Sequence, residues 1–382
     1  MALLFLLILG ILIQNITITY MTIRSAISLV FIFLFSILQM DCKDDPPVVP
    51  PIEPPPAHPT ITWVADTIKN PYQGAQLLLR SLWGSDTNDV YAIGHNAWGG
   101  NASLYHFNGQ QWSVIKVTQG EGGFIGSNVS FTNIDGSGKK DVWVVGRRGS
   151  YFGIPGDSSL IIHFDGSSWK EVYIERSGNT LFGLKVLAMN DVYISGSYGQ
   201  IYHFDGISFT KTVLDTNIGF RLGGDQERLF ASGKTTALFP NEYIKVYSKA
   251  PNGPWTLVTT SSEIDYAQSK RFGYYDFYPT GGGKYFVGGE GIYTIQDTTW
   301  QLAYNKESLP FILLRGSSPN NAFALSQFRK ILHWNGADWN QVNMPEGVTE
   351  AMLPLGIWVY DKSVFLSVYY RTDINIIYRG SY

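Results

Sequence analysis

The 382-residue chain has one cysteine, Cys42, so no intramolecular disulfide can form, and it has no Cys/His cluster with zinc spacing. It also lacks any block of Lys or Arg. With a net charge of −3 and a pI of about 6.1, it has no basic stripe to neutralise nucleic-acid phosphates. Its two apolar runs, Ala2 to Ile13 and Ala26 to Leu38, both fall short of the roughly 20 residues that span a bilayer. Catalytic motifs are missing too: no nucleophile sits beside a base, and no paired carboxylates have a defined separation. What abounds instead is glycine, at 40 residues, and aromatic side chains, at 15%. That balance suits many short strands joined by tight turns.

The N-terminal region reads as a series of processing and tethering signals. Arg24 supplies the charge and Ala26 to Leu38 the apolar segment of a signal peptide over residues 21–41, which makes residues 1–20 an extension ahead of the true start at Met21. The sequence LQMDCKDD that follows resembles a bacterial lipoprotein processing site with Cys42 as the lipidated residue, although Asp41 replaces the usual small residue. Lys43, Asp44 and Asp45 resemble the signal that sends such lipoproteins to the cell surface. This resemblance implies an exported chain, anchored by lipid to the outer membrane or cell surface. Pro46 to Pro59 then favours a polyproline II spacer, so that residues 42–59 form a tether whose Pro-rich part is about 40 Å long.

Residues 60–382 are dominated by a repeat. SLYHFNGQQW (103–112), LIIHFDGSSW (160–169), QIYHFDGISF (200–209) and ILHWNGADW (331–339) each join an alternating strand, an Asn-Gly or Asp-Gly turn and an aromatic that opens the next strand. Upstream of each lies SDTNDVYAIG, KKDVWVVG, MNDVYISG or NNAFAL, a second strand of the same unit. Weaker copies fill the gaps. With His106, His163, His203, Tyr247, Tyr293, His333 and Tyr378 as anchors the period is near 45 residues, which predicts an all-β, seven-bladed β-propeller with four-stranded blades. The last copy stops short of a fourth strand, and residues 60–68 form an orphan strand. The N-terminal strand should therefore complete the C-terminal blade and protect its edges.

LWGSDTNDVYAIG (82–94) resembles bacterial secreted propellers with Trp-Gly/Asp-Val repeats, and Val287, Gly288, Gly289, Tyr293 and Trp300 add a Kelch-like pattern. Some members of that group carry a glucosyltransferase label. The resemblance implies a fold rather than a chemistry. Because His106, His163, His203 and His333 recur at one position, they are expected to serve the blades.

The functional expectation rests on loop lengths. Long loops converge on one face and carry Trp98, Arg147, Arg148, Tyr151, Tyr266 and Tyr274, residue types enriched in recognition surfaces. Aligning the repeats also puts Trp83, Lys185, Tyr278 and Arg315 in one column near the central channel. These ten residues are the candidate ligand contacts of a non-enzymatic module that recognises a protein or glycan. The alternative is a carbohydrate-active enzyme whose site is assembled from several blades. No cofactor is expected except for one segment: NIDGSGKKD (133–141) spaces Asn133, Asp135, Ser137, the Lys139 carbonyl and Asp141 like the oxygens of a calcium loop.

Overall fold

A computed structural model describes residues 14, 57–70, 76–96, 104–115, 118–119, 123–124, 129–148, 158–172, 174, 180–235, 243–262, 275–305, 310–326 and 328–382. The chain divides into two units, Met1–Pro54 and Pro55–Tyr382. Cys42, the signal segment and most of the tether lie outside the described residues.

The second unit is built of strands. β1 (Thr62–Lys69) leads the chain, followed by β2 (Leu77–Asp86), β3 (Asp89–Asn96), β4 (Leu104–Phe107) and β5 (Trp112–Val114). A small ribbon comes next, β6 (Thr118–Gln119) with β7 (Gly123–Phe124), and then β8 (Val129–Gly138), β9 (Asp141–Arg148), β10 (Ser158–Phe164) and β11 (Trp169–Glu171). Three further sets of four are β12 (Leu181–Ala188), β13 (Asp191–Gly196), β14 (Gln200–Phe204), β15 (Phe209–Val213); β16 (Arg221–Gly224), β17 (Leu229–Lys234), β18 (Tyr243–Lys249), β19 (Thr256–Ser262); and β20 (Phe277–Gly281), β21 (Lys284–Gly289), β22 (Gly291–Gln296), β23 (Thr299–Tyr304). The remainder are β24 (Phe311–Ser318), β25 (Asn321–Ser326), β26 (Ile331–Trp334), β27 (Trp339–Val342), β28 (Leu353–Tyr360), β29 (Ser363–Arg371) and β30 (Ile374–Ser381).

Each set is an antiparallel meander, and the architecture is an all-β propeller with four-stranded blades. Separate four-stranded sheets number five among the described residues, not the seven expected. The other two sets of four, β2–β5 and β8–β11, share one eight-stranded sheet. β3 runs on past Gly94, and His95 there forms a single bridge to Ser130 at the start of β8. First strands pack beside one another in the order β2, β8, β12, β16, β20, β24 and β28, and β28 packs beside β2.

The expected closure is present. β1 pairs with β30 in unbroken antiparallel register from Thr62↔Ser381 to Lys69↔Ile374, giving the sheet order β1-β30-β29-β28. Arg379 grips both oxygens of Asp66 across this seam, through Nε at 2.7 Å and Nη2 at 3.1 Å, and Trp112 Nε1 donates to the same carboxylate. Such a bidentate pair adds geometric specificity to the hydrogen bonding of the strands.

Burial explains why the second strands read as continuous apolar runs. Val90, Ala92 and Ile93 in β3, and Val142, Val144 and Val145 in β9, are fully buried because sheets pack against both of their faces. Fourth strands lie at the rim, and most side chains of β15 are exposed. The recurring Asn-Gly and Asp-Gly turns sit in four-residue loops, since Phe107 pairs with Trp112 across residues 108–111. Asn108 Oδ1 accepts from the amides of Gln110 and Gln111, and Gly109 follows at φ 90°. Asp165, Asp205 and Asn335 repeat this arrangement, so an Asx side chain caps the turn and glycine supplies the left-handed residue.

Candidate functional site: the central channel

The first strands surround a cavity of about 720 Å³. Trp83, Lys185, Tyr278 and Arg315 all line it, each from a different sheet. Their side chains do not simply fill the channel: each engages the neighbouring set of strands.

Aromatic rings seat on glycines across three of these joints. A Cβ on Gly136 of β8 would stand 2.7 Å from the Trp83 ring of β2, and one on Gly84 of β2 would stand 2.9 Å from the Trp358 ring of β28. A Cβ on Gly316 of β24 would come too close to the Tyr278 hydroxyl of β20, which donates to the Ser318 carbonyl at 2.9 Å. The Trp-Gly pair at 83–84 is thus a two-way joint, its Trp covering the next glycine and its Gly receiving the previous ring. Glycine is needed there because any Cβ would also crowd the carbonyls of Asp89 and Asp141 opposite.

Ion pairs close other joints. Lys185 of β12 lies 3.6 Å from Asp135 of β8, whose Oδ2 also accepts from the Val186 amide at 2.9 Å. Arg315 of β24 bonds Asp276, just before β20, and the Leu314 amide donates to the same oxygen. Asp225 Oδ1 accepts from the Tyr285 hydroxyl at 2.8 Å and from the amides of Glu227 and Arg228. The three carboxylates along the channel are therefore already occupied as acceptors. Arg221, an exposed side chain in the channel lining, opens β16, and Arg80 of β2 also lines the channel. Burial first, and the charges of Arg80 and Arg147 next, hold the His95 imidazole below its ordinary range.

Of the loop candidates, Arg147 is half-buried at the end of β9, opposite Ser130 and Ser159. Arg148 follows it in the same strand. Trp98, Tyr151, Tyr266 and Tyr274 lie outside the described residues.

Residues 133–141, the segment with calcium-loop spacing, form a hairpin. Asn133, Asp135 and Ser137 belong to β8, which is paired with β9, so only Lys139 and Lys140 form the turn. Asn133 Oδ1 accepts from Ser81 Oγ and the Ile134 amide, Asp135 faces β12, and Asp141 is taken by Ser137, Trp143 and His163. No group of three or more His, Cys, Asp or Glu side chains suited to a metal occurs among the described residues.

The recurring histidines serve the blades as expected. His106, His163 and His203 bond Asp89, Asp141 and Asp191 through Nε2 at 2.6, 2.7 and 2.8 Å, and they stack on Tyr91, Trp143 and Tyr193. Ser85 and Ser137 donate to the first two carboxylates rather than to an imidazole, so each Ser, Asp and His set braces its sheet. Sequence reasoning missed Asp276, Asp225 and the ring-accepting glycines. The only local trace of them was the Trp-Gly dipeptide, because the partners are brought together by the ring.

No protein-family model matches the chain, and no curated protein matches it by sequence. Solved structures do match. YCF48 bound to D1 peptide superposes with a TM-score of 0.58 at 16% identity, covering 85% of this chain and 99% of that one. YCF48 from Cyanidioschyzon merolae gives 0.53 at 12%, covering 82% and 98%. The WD40 β-propeller domain of Doa1 gives 0.51 at 11%, covering 80% and 97%. At these identities the likeness is one of fold.

Proposed function

We propose that this chain is a non-enzymatic interaction module that holds a segment of another protein at the channel mouth where the first strands begin. One observation carries the reading: the channel is large enough to admit side chains, yet Asp135, Asp225 and Asp276 in it are committed to amides, a hydroxyl and cations. A hydrolase needs an acid and a base poised for a substrate, whereas a binding site needs shape and a few polar anchors. The similarity to a propeller solved with a bound peptide supports the choice of a protein partner over a glycan.

The reading has further parts. The ring counts seven repeat units, the eight-stranded sheet holding two, and the unbroken succession of first strands supports this. Lipidation at Cys42 tethers the module at the cell envelope with the propeller held off the membrane. The Trp-Gly and Asp-Val pattern marks it as a relative of the bacterial secreted propellers, and the long loops with Trp98, Arg147, Arg148, Tyr151, Tyr266 and Tyr274 add to the binding surface.

Photo-crosslinking on intact cells, from a probe amino acid at position 221, tests the function. The expected outcome is one recovered protein whose segment binds the purified chain at 1:1 and loses at least tenfold in affinity with Arg221→Glu, but not with Met189→Glu at the opposite turn. Release of reducing sugar from a glycan panel by the purified chain would overturn the reading.

A further inference from the structure

Just before β1, His58 reaches across to β26. Its Nδ1 lies 3.2 Å from Nδ1 of His333, with the two rings perpendicular and their centroids 5.3 Å apart. The hydrogen bonds on the far sides of both rings fix where their protons are. Asn321 Nδ2 faces the carbonyl of Asp361 at 2.9 Å, which can only accept, so Asn321 Oδ1 is the atom turned toward His333. His333 Nε2 must then carry the hydrogen it donates at 2.9 Å. His58 Nε2 meets the Asp338 carboxylate at 3.1 Å and must likewise carry a hydrogen. In neutral imidazoles this leaves both Nδ1 lone pairs directed at each other.

Two lone pairs at that distance repel unless something positive lies between them. We propose that His58 and His333 form a two-imidazole site for a divalent transition-metal ion such as Zn(II) or Cu(II), which fixes the end of the Pro-rich segment to the ring. Zinc–nitrogen bonds of about 2.0–2.1 Å in tetrahedral geometry put two ligand nitrogens about 3.3 Å apart, close to the spacing here. Imidazole suits such ions. Each ring also donates its other N–H to an oxygen of Asp338 or Asn321, the second-shell pattern that orients metal-bound histidines. The remaining coordination positions fall to solvent or a small ligand, and a cavity of about 1040 Å³ lined by Ala57, Pro59, His333 and Tyr382 adjoins the site.

The test is calorimetric titration of zinc chloride into the chelator-stripped, tag-free full-length chain, with electron paramagnetic resonance of the Cu(II) form. One ion per chain is expected, with two imidazole nitrogens in the copper spectrum. His58→Ala, which lies outside the sheets, and His333→Gln should each weaken binding at least tenfold, and Asp338→Asn should weaken it several-fold. The proposal is overturned if wild type and His58→Ala bind zinc alike. It is equally overturned if wild type binds no zinc, the outcome expected if a proton on His58 Nδ1, visible by nitrogen NMR at pH 7, bridges the two rings.

Discussion

Three of the four histidine repeats place the imidazole against an aspartate, and the fourth places it against Asn321. In the first two, the serine four residues earlier donates to the carboxylate: Ser85 to Asp89 and Ser137 to Asp141. In the fourth the polarity is reversed. Asn321 Nδ2 donates to Ser317 Oγ at 2.8 Å and to the Asp361 carbonyl of the closing sheet. An aspartate could not make that bond, so the substitution exchanges a charged brace within one sheet for a neutral one that also reaches the next. The charge changes follow. Burial raises the pKa of Asp89 and Asp141, but bonds from His106 and Ser85, and from His163, Ser137 and Trp143, outweigh it and hold both carboxyls below their ordinary value. His333, buried without a carboxylate and beside His58, is pushed down to about 4.

Removing the charged brace gives the largest expected effect. Asp141 is buried and receives bonds from Trp143 Nε1 at 2.8 Å, His163 and Ser137. Asp141→Ala strands all three donors and should cost about 3–5 kcal/mol in urea denaturation, the range for breaking a buried charged pair.

The neutral brace is exposed by pH instead. His333 is 4% exposed and binds its proton less readily in the fold than in the unfolded chain. Between pH 4 and 6.5 the unfolded chain holds more protons, so stability is complete above about 6.5 and is lost as pH falls toward about 4, by about 3 kcal/mol in all. His333→Gln should flatten denaturation midpoints across that window.

Asn321→Asp would give the fourth repeat the chemistry of the other three. His333 would gain a carboxylate partner, which raises its pKa and removes part of the acid sensitivity. The new oxygen would face the Asp361 carbonyl without a proton, at a cost of about 1–2 kcal/mol at pH 8. A variant more stable than wild type at pH 8 would show that the asparagine does not serve the seam.

Much of this fold is legible in the chain because each repeat carries its own signals. Asp or Asn, a small apolar residue, an aromatic, then the His and the Asx-Gly turn lie within about 25 residues, and their contacts are local to one sheet. The closing strand is legible by subtraction, since the last copy lacks a partner that residues 60–68 provide. The channel is less so. Trp83 and Gly136, or Arg315 and Asp276, are separated by whole strands and meet only through the ring, so alignment finds the column but not what each member touches. In the segment 133–141, alternate oxygens mark a calcium loop and a strand edge equally well, so the pairing of β8 with β9 is not legible there. His58 and His333 lie 275 residues apart, and no local pattern links them.

Asp191 limits how far the charged brace extends. It carries the same bond to His203, at 2.8 Å, and the same stack on Tyr193, but Leu187 stands where the serines stand in its two counterparts, and the pair is partly open to water, with side chains 39% and 33% exposed. Solvent screens such a pair, whose worth is typically below about 1 kcal/mol. Asp191→Asn keeps an oxygen for His203 Nε2 and removes only the charge, so urea midpoints should move by less than that amount. A second readout is independent of stability. Burial first, and the Asp191 charge second, push the Tyr193 phenol up to about 12. Loss of the carboxylate should lower that titration modestly, since burial remains, and ultraviolet absorbance between pH 9 and 12.5 would follow it. A loss of stability as large as that of Asp141→Ala would mean that charge, rather than the number of donors stranded, sets the strength of every brace.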